Sequence, residues 1–224
     1  MPRRTRSTKP PRLDAIVHGD LEPGGPDDLE SRADLDGLEF LDVSVAELSL
    51  DGAVLRDCRL SGLAAREADW RSVRLREVTA ERLDIPVLRA SRSHWQDVRI
   101  EGARLGSAEA YDAEWRSVHF VGCKLGFLNL RAAELLDVAF TDCVIEELDL
   151  LDATARRVRF TGTRIASLDL QRGRFEDVDL RGADLDALRG VEGLRGTTIS
   201  PDQLTLLAPL LAHEAGLRIE DAPR

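Results

Sequence analysis

Every fifth residue from Leu35 to Leu185 is apolar, a column that begins Leu35, Phe40, Val45, Leu50 and ends Phe175, Leu180, Leu185. A second column lies two residues earlier, from Ala33, Leu38 and Val43 to Ala183, and its exceptions, Ser93, Thr163 and Gly173, are all small. No charged residue between 31 and 190 stands on either column. A period of five fits neither an α-helix, at 3.6, nor a flat strand, at two. It is the mark of a repeat architecture. Inward side chains at i−2 and i make a short extended segment, and the other three positions turn the chain and meet water. Four such segments close a square coil of 20 residues, and residues 31–190 then hold eight coils.

A 20-residue superperiod supports this reading. Gly62, Gly102, Gly122, Gly162 and Gly182 share one phase, a turn position where glycine tolerates unusual backbone angles. Val78, Val98, Val118, Val138, Val158 and Val178 share another. At the strand spacing of about 4.8 Å per coil, the rod is about 38 Å long. One inward face stacks Leu55, Leu75, Trp95, Trp115, Leu135, Ala155 and Phe175. Trp95 and Trp115 are therefore expected stacked and buried, with an aromatic ligand box as the alternative.

Pentads such as ADLDG (33–37), ARLGS (103–107) and GADLD (182–186) carry a resemblance to the pentapeptide-repeat family, whose unit is loosely A-(D/N)-L-x-x. The resemblance covers about 70% of the chain, with no frame-breaking insertion. It implies an all-β fold, a right-handed quadrilateral β-helix of about eight coils.

Both rod ends need covering, because a terminal coil exposes core and unpaired backbone. Residues 1–30 are expected to be an N-terminal tail, mostly disordered, with a basic start and an acidic second half. Residues 191–224 are expected to be a helical cap. Ser200, Pro201 and Gln203 read as N-cap, N1 and N3 of a helix. Leu204, Leu207, Ala208 and Leu211 form its apolar stripe, widened by Leu206 and Leu210. Pro209 should kink or split the helix, and Gly216 should end it. Two roles stay open: capping alone, or capping plus a homodimer contact through Leu204, Leu206, Leu207, Leu210 and Leu211. Some members of the resembling family dimerise through C-terminal elements.

Chemistry is sparse. His18, His94, His119 and His213 are scattered, and no catalytic, cofactor-binding or metal-binding constellation emerges. Cys58, Cys123 and Cys143 sit on the inner column and read as packed thiols. An odd cysteine count points to a reducing cytoplasm. No apolar run is long enough to span a membrane, and no secretory apolar segment follows the basic start. The expectation is a non-enzymatic protein.

The net charge of −10 disfavours direct nucleic-acid binding. Residues 133–153 hold Glu134, Asp137, Asp142, Glu146, Glu147, Asp149 and Asp152 with no basic residue. Asp57, Glu77, Asp97, Asp137 and Asp177 share one phase, interrupted by Ser117 and Arg157. These acids form the candidate interaction surface. Yet residues 20 apart are vertical neighbours, so Arg157 lies between Asp137 and Asp177, Arg156 beside Glu176, Arg159 beside Asp179 and Arg164 beside Asp184. A parallel stripe, Arg56, Arg76, Arg116 and Arg156, is basic. Two functions follow. One is an interaction scaffold for an unidentified protein partner. The other is what the family resemblance implies for its loopless actinobacterial type: a DNA-mimicking modulator of DNA gyrase or topoisomerase IV that protects against quinolone-type poisons. Mimicry needs a continuous negative face.

Overall fold

The computed structural model describes residues 7–220. The right-handed quadrilateral β-helix expected from the pentads is the fold observed: a parallel β-solenoid closed by one C-terminal helix. Paired residues stand 20 apart, as in Leu75↔Trp95 and Leu105↔Leu125. Each coil gives a long strand such as His94–Glu101, bent around one corner, and a shorter one such as Arg104–Glu109. The shorter strands stack into an eight-stranded sheet, one per coil. The longer ones continue past the coils through Glu22–Pro23 at one end and Thr197–Thr198 at the other.

The corners explain the polar positions of the pentad. Three corners of most coils have left-handed backbone, with φ of 53° at Asp97, 62° at Gly102 and 55° at Asp112 in one coil. Glycine accepts that geometry freely, and aspartate better than most other residues. Gly62, Gly102, Gly122 and Gly162 are indeed left-handed. Gly182 shares their phase but not their backbone; a Cβ there would lie 2.4 Å from the Phe160 carbonyl oxygen, so close approach explains it.

Both apolar columns fill the core. Trp95 and Trp115 stack at 4.7 Å and 12° between planes, each under 4% exposed. Trp70 meets Trp95 edge-on, and Phe120, Phe140 and Phe160 form a second stack at 5.0 and 5.1 Å. Volumes balance around each coil, as dense packing demands. Trp95 shares its coil with Ala103, Ala108 and Ala110, whereas Ala155 shares its own with Phe160, Ile165, Leu168 and Leu170. Gly173 leaves room for the Phe175 ring, which a Cβ would meet at 2.2 Å. The three thiols are buried and donate to carbonyls, as Cys123 does to Ile100 and Val121. Thr163 does the same with its hydroxyl, to Phe140 and Thr161. Burial pushes the Cys58 thiol above its ordinary range. The Cys123 hydrogen bond and burial do the same for Cys143, while the hydrogen bond with Cys143 lowers Cys123; all three thiols are buried in the core.

Both ends depart from the sequence expectation. Residues 7–30 do not trail into solvent. They climb the rod, add the strand Glu22–Pro23 beside Leu38–Leu41, pass Gly24 over the Phe40 ring and bury Leu29. At the other end Ser200 and Gln203 form the expected capping box of helix α1 (Pro201–Glu214). The rod-facing anchors are Gln203, Leu207 and Leu210, not the stripe led by Leu204. Gln203 is buried and donates through Nε2 to the Leu180 and Ala183 carbonyls at 2.7 Å each. Pro209 does not split the helix. Pro209 and Thr205, whose carbonyl it leaves without its usual amide donor, both lie on the exposed side, where water can serve that carbonyl.

Candidate interaction surface

The acidic residues of 133–153 encircle the rod instead of sharing a side. Glu134 is exposed on one side, in register with Glu114 and Thr154. Asp137 stands at the next corner and Asp142 at the one after, both left-handed. Glu146 and Glu147 flank the third turn, Asp149 lies on the fourth side and Asp152 at the closing corner. Any partner approaching from one direction meets only a part of this belt.

Arginines answer most of these acids. Asp137 takes a two-pronged hydrogen bond from Arg157, 2.6 Å from Nε and 2.5 Å from Nη2, with both side chains about nine-tenths buried. Burial opposes ionisation of Asp137, but the Arg157 guanidinium and the Arg12 amide outweigh it and hold the carboxyl below its ordinary value. Asp149 is 2% exposed and accepts from Arg131 at 2.6 Å. Asp152 is held low by Arg172, at 2.8 and 2.6 Å. Glu147 faces Arg189 at 3.4 Å. Arg156–Glu176 and Arg159–Asp179 pair as the 20-residue ladder requires. Arg164 instead reaches past Asp184 to Asp186, at 2.7 Å.

The single-phase column Asp57, Glu77, Asp97, Asp137, Asp177 is a real corner edge, left-handed throughout. The N-terminal segment lies along it. Amides of Lys9, Arg12 and Gly19 donate to Asp177, Asp137 and Asp57, and that of Asp14 donates to Ser117. His18, its side chain 5% exposed, bridges Asp57 and Thr79 at 2.7 Å each. Among the described residues, Glu77 and Asp97 meet their neighbours Arg76 and Gln96. The column was legible in the sequence; its occupant was not, since nothing in residues 7–20 follows the pentad.

The arginine stripe borders a shallow groove of about 710 Å3 on the Trp95–Trp115 side, with Arg56, Arg76, Arg116 and Arg156 along it and Glu114 and Glu134 opposite. Arg56 is pulled toward Asp34 and Asp36 and Arg156 toward Glu176. Among the described residues, no group of three His, Cys, Asp or Glu side chains could hold a metal ion. No helix there is long and apolar enough to cross a membrane.

A family model described as a pentapeptide repeat region matches residues 93–170 and 113–189. Residues 93–189 of the chain are a pentapeptide repeat region. The pentapeptide-repeat frame extends well beyond the matched residues, as the two columns and the coil register demonstrate. No curated protein sequence matches the chain. Solved structures similar to it include full-length QnrB1, a plasmid-mediated fluoroquinolone resistance protein, at 15% identity and a TM-score of 0.39, covering 85% of this chain and 94% of that one. A trypsin-treated QnrB1 variant gives 16% and 0.47 over 85% and 91%. HetL, a pentapeptide repeat protein involved in heterocyst differentiation regulation from the cyanobacterium Nostoc sp. strain PCC 7120, gives 17% and 0.39 over 75% and 90%.

The remaining predicted contacts of this pentapeptide-repeat protein lie on α1. Leu207, Leu210 and Leu211 are half-buried, while Leu204 and Leu206 are 51% and 75% exposed. The five leucines form one arc of the helix, its middle turned to the rod and its two edges, Leu204 and Leu206, exposed.

Proposed function

We propose that this protein is a non-enzymatic scaffold that docks a protein partner along its exposed sides. The observation that supports this reading is the mosaic of charge: acids belt the rod, arginines stand one coil away, and an arginine stripe runs beside a groove. Such a mosaic suits a partner with a matching mosaic. The alternative, DNA mimicry toward DNA gyrase or topoisomerase IV, draws on the net charge of −10 and calls for a negative face unbroken along the rod.

The test is affinity capture from the source cells with the full chain and with an Arg76→Glu/Arg116→Glu variant. The scaffold reading expects a partner retained by the first and lost by the second. Recovery of gyrase subunits, together with inhibition of purified gyrase in a supercoiling assay, would replace it with mimicry.

A homodimer through α1 is a further part of the proposal, supported by the exposure of Leu204 and Leu206. Sedimentation should show a dimer that a Leu204→Glu/Leu206→Glu variant lacks. A monomeric wild-type chain leaves the helix as a cap alone.

A further inference from the structure

The N-terminal segment joins the rod in an unusual way. Between residues 8 and 19 no main-chain group bonds to a main-chain group of the rod; the first such bond is Glu22 N–H to the Gly37 carbonyl. Rod side chains do the holding instead. Asp177, Asp137, Ser117 and Asp57 accept from the amides of Lys9, Arg12, Asp14 and Gly19 at 2.8 to 3.5 Å. Amides are common to every peptide, so these acceptors recognise extended backbone rather than sequence.

The lengths agree. From the level of Thr198, which Thr8 touches, to that of Asp57, which His18 touches, is seven coils. Seven coils span about 34 Å, and ten extended residues span about 33 to 36 Å. The left-handed corners stand in a straight line, an extended chain passes one roughly every residue and a half, and four of them supply the acceptors it uses.

The segment also sits loosely. The His18 side chain is buried, at 5% exposed, whereas Thr8, Pro11, Leu13 and Ile16 are half-buried on the inner side and the other residues of 7–20 are exposed. A cavity of about 380 Å3 remains beneath them, lined by Leu13, Ile16, Thr79, Val98, Ser117 and His119. A groove with spare volume, straight acceptors and no shared backbone ladder suits an occupant that can leave without unravelling a coil.

We propose that the corner from Asp57 to Asp177 is a binding groove for an extended polypeptide, and that residues 8–19 fill it as an exchangeable ligand in cis. Main-chain donors supply the general affinity. Leu13 and Ile16 over the cavity, and His18 between Asp57 and Thr79, supply the sequence preference. This groove is distinct from the arginine-bordered side proposed above for the partner, and its test does not depend on that partner.

Hydrogen exchange on the full chain comes first. The amides of Arg12 and Asp14 should exchange at least about a hundredfold faster than ladder amides such as those of Leu128 and Leu148. Then a full-length His18→Ala/Ile16→Asp variant, its ladder amides still protected, is titrated with a fluorescent peptide of residues 7–20. Removing the two His18 bonds should vacate the groove, so this variant should bind the peptide about tenfold more tightly than the wild-type chain. Adding Thr79→Val should weaken that binding several-fold. Strap amides protected as long as the ladder would overturn the proposal, because the segment would then be a fixed part of the rod. So would a folded variant that binds no peptide, or equal binding by both chains.

Discussion

Replacing Arg157 with methionine tests how the rod reconciles buried charge with a left-handed corner. The guanidinium makes two short bonds to Asp137, and the side chains are 10% and 9% exposed. Methionine fills similar volume but leaves Asp137 with one main-chain donor, Arg12 N–H at 2.8 Å. Breaking a buried pair from one side costs about 3 to 5 kcal/mol, and the surviving amide bond places this case near about 3. The pH dependence carries more information. In the wild-type chain the Asp137 carboxyl is depressed, so it contributes stability above the unfolded aspartate value, about 3.9, that is lost as pH falls through the folded value. In the variant burial dominates and raises the carboxyl; protonation then removes the penalty, and the difference between the chains closes on acidification. Urea unfolding followed by circular dichroism at pH 7, 5 and 3.5 should show a gap of about 3 kcal/mol that narrows by no more than about 1.4 kcal/mol per pH unit. A gap below about 0.5 kcal/mol at pH 7, or one that stays constant to pH 3.5, would refute the assignment of Asp137 as a buried, arginine-held carboxylate.

Three other substitutions probe the core and the cap. Phe140→Ala opens a void between two stacked rings and should cost about 3 to 5 kcal/mol, lowering the melting temperature by about 10 °C in a thermal scan. Gly126→Ala places a Cβ 2.1 Å from the Gly106 carbonyl oxygen, which is backbone and cannot swing aside; a loss of about 1 to 3 kcal/mol should appear in denaturant titration. Gln203→Leu strips the Leu180 and Ala183 carbonyls of their donor and should cost about 2 kcal/mol, read as faster proteolysis of α1 with the central coils intact.

The fold was legible because one rule governs every coil. Each pentad must present two apolar side chains inward, so the columns ending at Ala183 and Leu185 display the core directly. Ion pairs along a column were legible for the same reason, and Arg157 with Asp137 is the clearest. Where geometry departs from the vertical, the sequence was mute: Arg164 is long enough to choose Asp186 over Asp184. The block of acids in 133–153 misled for a related reason. Adjacency along the chain becomes dispersal around a square, so seven neighbours in sequence face four directions. On α1, the hydroxyl, amide and carbonyl chemistry of the cap made Gln203 the anchor, and a count of leucines could not reveal that. The segment 7–20 was illegible because its partners are side chains up to 190 residues away, as with Thr8 and Thr198.

The strap from Thr8 to Gly19 has a consequence for how the molecule opens. A stacked solenoid is nearly one-dimensional: each coil senses only the coil above and below, so either end can fray without informing the other. Here Thr8 touches Thr198 across 190 residues of sequence, while Gly19 reaches Asp57. One short segment thus records the state of both ends at once. Loss of the last coil slackens its start, and loss of the first slackens its finish. A chain whose neighbours otherwise communicate only one step at a time has acquired a single long-distance line.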